Sequence, residues 1–405
     1  MSAGLMPENG PGSPASRMSQ VRLMHRLTRQ LGVVWPNEEQ NLVLRAIFAP
    51  PDLARAAYLD WRSTLEVEQP FDVTVMRLLP LLYLRMLEIG VDDPLMGRLK
   101  GVYRRAWSDT HALFHATAPA LSALRDAGVD TMLLKGAQMV LCHYRNFGGR
   151  PMADVDIAIR FDDVAPATRA LTVAGWTPTA PISRDDLAFR HALEFRGPDG
   201  HEIDLHWHML FTNCCARSDA LFWHDARPIA FRGIPTHAPQ PALALLHTLT
   251  HGLEPNTETP IRWIADALTV LRDPQAILDW PLFCRTAGTL GLSHRLLLGL
   301  SYLQDRHAQE IPAAAMQALS TARRTPAEAL DLAVLTRRTR PRPALVDRCL
   351  LVAAEYCRLA RLRSGPAAMA MIPSFVRYRL GIASWRGLVR NRLWRLKQGL
   401  RQALG

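Results

Sequence analysis

Cysteine is scarce. Only six stand in 405 residues, at Cys142, Cys214, Cys215, Cys284, Cys349 and Cys357, with no CxxC pair and no disulfide-like spacing. That excludes a small scaffold stapled by disulfides and predicts a reducing, cytoplasmic setting. No uninterrupted apolar run approaches the ~20 residues that a membrane-spanning helix needs. The first twenty residues lack a basic segment followed by an apolar run. They read as a disordered leader rather than a signal peptide. Glycine (24) and proline (29) show no period, which excludes collagen-like and repeat architectures. Acidic residues are missing from one end only. None follows Glu355, while arginine and lysine continue to the last residues.

What is present is globular. The chain is 48% hydrophobic and 21% charged, ample for a core, and its length suits about two or three domains. The net charge of +11 favours phosphate-bearing partners, although the basic tail accounts for much of it. After the leader, residues 21–127 read as a helical region, with apolar residues three and four apart in "NEEQNLVLRAIFA" and "THALFHATAPALSALRDAG". Gly128 is placed to end the last of these helices.

Residues 128–238 change period. "VDTMLLKG" is a short strand ended by glycine, and "AQMVLCHYR" a helix opening near Ala137. "DVDIAIR" is a second strand. "FDDVAPATRALTVAGW" is a helix with Asp162 as N-cap and Gly175 as stop. "HALEFRGPDGHEIDLHWHM" is a hairpin, and "PIAFRGIPTHAP" two further strands around Gly233. Residues 239–335 return to helix. Residues 336–405 hold a basic, proline-rich break, "TRRTRPRP", and basic amphipathic helices. The fold class expected is α+β: an α/β core with a small mixed sheet between helical domains.

The strand "DVDIAI" is odd. Side chains alternate along a strand, so Asp154 and Asp156 share one face while Val155, Ile157 and Ile159 share the other. Adjacent carboxylates repel unless a cation sits between them. In "HEIDLHW" the same alternation puts Glu202, Asp204 and His206 on one face. Three acids on neighbouring strands can hold two metal ions ~4 Å apart, an arrangement suited to phosphoryl chemistry. Mg²⁺ takes one or two protein carboxylates and leaves other positions to water and phosphates. Upstream, Lys135 and Gly136 end a strand and open a helix, where free N–H groups suit a phosphate. Gly136 permits close approach, and Arg150 could grip a phosphate in bidentate fashion.

In order these are Lys135-Gly136, Arg150, Asp154-Val155-Asp156 and Glu202-Ile203-Asp204-Leu205-His206-Trp207. The order resembles the polymerase-β-like nucleotidyltransferase superfamily. It is most similar to the family of uncharacterised nucleotidyltransferases, which carries Lys-Gly where the wider superfamily carries Gly-Ser. The resemblance continues through "LLHTLTHG" and "RWIADALTVL". It implies transfer of a nucleoside monophosphate from an NTP to an acceptor, with release of pyrophosphate. On that reading Asp154, Asp156 and Asp204 hold the catalytic metals, Mg²⁺ or alternatively Mn²⁺. Asp204 helps deprotonate the acceptor. Lys135 and Gly136 contact the triphosphate, and Arg150 steadies a phosphate or braces the carboxylates. The acceptor, whether small molecule, sugar, peptide or protein, is not legible, nor is the donor base.

Weaker signals remain. His247 and His251 are four apart on a helix, but Thr248 stands where a zincin has glutamate, so both read as interface histidines. His206 reads as a neighbour of Asp204, with His208 on the same face. Arg262 and Asp266 suit an i,i+4 ion pair. In the tail, Trp385, Val389, Leu393, Leu396 and Leu400 line one helical face and Arg386, Arg390, Lys397 and Arg401 lie largely opposite. Such a helix suits an anionic membrane surface, which would make the protein peripheral there, or an acidic partner. It equally suits a terminal helix folded back on the domain. Two rival classes stand beside the enzyme: a catalytically idle scaffold of the same fold and a nucleic-acid-binding protein. Three retained, mutually repelling acids speak against the first, and the want of any nucleic-acid motif against the second.

Overall fold

The computed structural model describes residues 35–65, 71–181, 187–254, 261–335, 345–361 and 365–379. The leader, the basic break at 336–343 and the amphipathic tail from Ser384 lie outside these residues.

Five helices come first: α1 (Glu38–Phe48), α2 (Pro51–Ser63), α3 (Val73–Met76), α4 (Leu79–Glu88) and α5 (Leu95–Asp126). Helix α1 opens on a capping box. Asn37 Oδ1 accepts from the Gln40 amide and Gln40 Oε1 from the Asn37 amide, both at 2.9 Å. Helix α5 ends as expected. Gly128 takes φ +73°, and the Val129 amide turns back to the Leu124 carbonyl.

The middle of the chain is β1 (Met132–Leu133), α6 (Lys135–Met139), a single π turn over 140–144, β2 (Asp154–Ala158), α7 (Val164–Val173), β3 (Thr177–Pro178), β4 (Ala192–Arg196), β5 (Glu202–His206), α8 (Ala216–Trp223), β6 (Arg227–Phe231) and β7 (Ile234–Ala238). Two local expectations need correction. Helix α6 starts at Lys135 rather than Ala137, and it loses α geometry after Met139. Asp162 does not cap α7: it sits inside a 3₁₀ turn, Phe161–Asp163, and the helix starts behind Asp163 without a side-chain cap. The stop is as expected, with Gly175 at φ +86°.

The strands form one mixed sheet in the order β3-β4-β5-β2-β1-β7-β6. The expected hairpins β4–β5 and β6–β7 are both present and antiparallel, while β2 and β5 are parallel neighbours. Their register sets Asp154 opposite Glu202, Asp156 opposite Asp204 and Ala158 opposite His206. Eight further helices follow: α9 (Pro241–Gly252), α10 (Arg262–Arg272), α11 (Trp280–Leu290), α12 (Ser293–His307), α13 (Ala313–Thr321), α14 (Pro326–Leu335), α15 (Leu345–Arg361) and α16 (Gly365–Arg379). The chain is an α+β protein. Among the described residues no helix is long and apolar enough to cross a membrane.

The sheet separates two cores. On one face Val155, Ile157, Ile159, Ile203, Leu205 and Trp207 pack with Phe114, Leu121 and Leu124 of α5 and Leu171 of α7. Each such buried side chain contributes about 1.5–3 kcal/mol. The second core joins the first helices to those after α8, with Met132, Leu134 and Ala158 as the sheet's contribution. The rings of Trp35 and Tyr302 lie tilted 4.4 Å apart and Trp35 meets Trp263 edge-on at 5.8 Å, so segments from before and after the sheet share one aromatic cluster. The polar face of β2 and β5 therefore looks toward this helical mass.

Candidate active site

The parallel register brings Asp156 and Asp204 side by side, with Asp154 one pleat away on the same face. Ligand atoms of Asp156, Asp204 and His206 all lie within 4.8 Å of one another. Asp156 is buried and doubly held. Its Oδ1 accepts from Lys135 Nζ at 2.6 Å and lies 3.0 Å from His206 Nε2. Burial alone would raise its pKa, but the Lys135 ammonium and the His206 hydrogen bond hold the carboxyl far below the usual range. Burial would likewise lower Lys135, and the Asp156 carboxylate instead keeps its pKa above the ordinary value. Asp154 moves the other way. Burial, then repulsion from Asp156 and Asp204, push it up. Three carboxylates thus face one ammonium.

Lys135 adopts φ +43°, left-handed backbone that a side chain rarely takes. Such conformations persist where surrounding structure over-determines them, often at functional sites. Packing alone also requires glycine at 136. A Cβ there would lie 2.7 Å from Arg150 Nη1 and 3.2 Å from Met152 Sδ. The glycine makes room for the arginine.

Arg150 itself is not turned on the carboxylates of β2. Its Nε and Nη2 bind Asp266 of α10 in bidentate fashion, at 2.9 and 2.8 Å, with both side chains buried. Tyr144, at the end of the π turn, donates to the same carboxylate at 2.9 Å. The expected Arg262–Asp266 ion pair is therefore absent. Arg262 Nη1 donates instead to the Pro151 carbonyl at 2.7 Å. Helix α10 grips the loop before β2 at two consecutive residues.

The histidines divide. His206 joins the acids. His208, expected on the same face, turns away and pairs with Asp219 at 2.7 Å. His247 Nε2 donates to the Met209 carbonyl at 3.0 Å, and burial pushes its pKa down to about 3. It is a neutral interface histidine. Among the described residues, Asp156, Asp204 and His206 are the one group of such side chains whose ligand atoms converge.

A cavity of about 240 Å³ opens beside the acids. Lys135, Gly136, Arg150, Asp154 and Asp156 line it, together with Thr74 and Arg77 from the first helices and His251, Arg262, Trp263 and Asp266 from α9 and α10. The sequence pattern marked the first five. It did not mark Thr74, Arg77, Trp263 or the link from Tyr144, and only the neighbourhood of Arg262 and Asp266 to a family-like segment hinted at α10.

A family model described as "Uncharacterised nucleotidyltransferase" matches residues 73–307, more than half the chain. The chain belongs to this family. The match begins at the first residue of α3 and ends at the last residue of α12, so it takes in the whole sheet and every residue named in the cleft. No curated protein matches the chain. Membership of this family supports nucleotidyl transfer as the general chemistry of the protein.

The donor set fits a metal. It is rich in oxygen and carries more negative than positive charge, and among the described residues neither Asp154 nor Asp204 has a hydrogen-bonded cation. A hard divalent cation suits such ligands.

Proposed function

We propose that this protein transfers a nucleoside monophosphate from an NTP to a hydroxyl-bearing acceptor and releases pyrophosphate. The observation that carries the reading is the β2–β5 register, which sets Asp156 against Asp204 with Asp154 on the same face. Asp156 and Asp204, whose ligand atoms converge with those of His206, would hold Mg²⁺, with Mn²⁺ as the alternative, and Asp154, one pleat away on the same face, would supply the third carboxylate. Bound there, a divalent ion supplies charge neutralisation for the reacting phosphates and makes the acceptor hydroxyl easier to deprotonate.

The protein's own groups do the rest. The acceptor oxygen attacks the α-phosphorus, and the bond from that phosphorus to the oxygen bridging the β-phosphate breaks. Pyrophosphate leaves with the bond electrons. Asp204 would receive the acceptor proton, a role supported by its carboxylate having no lysine or arginine in ion-pair distance among the described residues. Lys135 holds Asp156 ionised at 2.6 Å. Arg150, packed against Gly136, would help hold that turn in place.

Purified protein with Mg²⁺ and labelled NTPs is expected to release pyrophosphate and to label an acceptor. Asp156→Asn should lower that turnover by at least ~10²-fold, the scale of losing a preorganised charge. Turnover intact in Asp156→Asn would falsify the assignment.

A further inference from the structure

The cavity holds four cationic side chains: Arg77, Lys135, Arg150 and Arg262. Two are spent within the protein, Lys135 on Asp156 and Arg150 on Asp266. Among the described residues, neither Arg77 nor Arg262 has a carboxylate within ion-pair distance. We propose that Arg77 and Arg262 form the binding site for the polyphosphate chain of the nucleotide, a role that rests on the nucleotidyl-transfer reading above.

Arg262 is preorganised for it. One end of its guanidinium is tied to the Pro151 carbonyl at 2.7 Å, which anchors the group within the cleft. Burial, followed by repulsion from Arg150 and Arg77, pushes its pKa down to about 10 despite the attraction of Asp266. At this end of the cleft two guanidinium groups repel each other, and an anionic ligand between them would offset that repulsion. Arg77 closes the C-terminal end of α3, is exposed, and is near enough for its charge to act on Arg262. Two planar guanidinium forks match phosphate oxygens better than ammonium groups do. The acids of β2 and these arginines then give the cleft two poles, one for cations and one for a polyanion. A substrate carrying both, a metal–triphosphate, fits that division. The assignment also moves phosphate binding away from Arg150, whose Nε and Nη2 are already committed.

The test is binding to the full chain, by calorimetry, of inorganic tripolyphosphate and of ATP, each with Mg²⁺. Wild type is expected to bind both. Arg77→Ala should weaken both about tenfold or more, the scale of a lost charged hydrogen bond. Its melting temperature without ligand should stay unchanged, because Arg77 is exposed. Arg262→Gln keeps a donor for the Pro151 carbonyl and should show the same loss of affinity. Unchanged affinity in both variants overturns the proposal, and an Asp156-dependent turnover would then leave the nucleotidyl reading standing. Arg77-dependent binding of tripolyphosphate without turnover of any NTP supports the site and removes the enzyme reading. Wild type that binds neither ligand, or binds ATP but not tripolyphosphate, overturns the site.

Discussion

Asp266 shows how much one residue can carry. It accepts from two of the three nitrogens of a buried guanidinium and from a tyrosine hydroxyl, and Arg150 drives its carboxyl below the usual range against the effect of burial. Removing one partner from such a pair leaves a buried charge uncompensated, which costs about 3–5 kcal/mol. Asp266→Ala should therefore lower the urea midpoint by that equivalent, and a loss under 1 kcal/mol would show that the pair is relaxed by water. The double variant Arg150→Met/Asp266→Leu should recover much of the stability and none of the activity, because the Arg150 packing against Gly136 is gone. In the sequence Asp266 reads as the partner of Arg262. Spacing along a helix names neighbours on that helix. It says nothing of an arginine more than a hundred residues earlier that arrives with better geometry.

At the scale of elements, the turn from β1 into α6 and the strand β2 depend on each other. Met152 and Arg150 fill the space that a side chain on residue 136 would need. Gly136→Ala forces both to shift, and overpacking of this kind costs about 1–3 kcal/mol. Unfolding should show that loss, and NTP turnover should fall with it because Lys135 and Asp154 move relative to each other. Equal turnover in Gly136→Ala would mean that the turn is not part of the site. Strands were the most legible elements. Alternation over five residues assigns Val155, Ile157 and Ile159 to one face and the acids to the other without any tertiary knowledge. Glycine with positive φ marked the ends of α5 and α7 for an equally local reason. The ends of α6 were not legible. Its first residue is a lysine in left-handed backbone, and its last turn is π, where the Arg145 amide reaches the Val140 carbonyl. The π turn ends at Tyr144, which reaches Asp266, and Lys135 reaches Asp156, so each departure goes with a distant partner that local propensity does not name.

At the scale of the whole molecule, the helices before and after the sheet pack as one body on its polar side. This is why Arg77 and Arg262, nearly two hundred residues apart, line one cavity. Farther along, Glu355 of α15 is buried beside Arg379 of α16 at 3.3 Å, and burial pushes its carboxyl up from 4.5 to about 7. The folded chain then keeps a proton that the unfolded chain has released between those values. Stability should fall as pH rises from about 4.5 to about 7 and change little from this group above that. Denaturant midpoints across the window should show the slope in wild type and a flatter one in Glu355→Gln. An identical slope in the variant would place the titration elsewhere.

Local periodicity sufficed for the α+β class, the polar face of β2 and β5, and the identity of the three acids, because a strand's alternation is a property of neighbouring residues. The tertiary structure decided the rest: that Asp156 lies against Asp204, that Lys135 and His206 share its Oδ1, and that Arg150 answers to Asp266. Those pairings depend on register and on helix packing across long stretches of chain. Such contacts form when buried charge must find a partner, and no short-range pattern encodes which partner it finds.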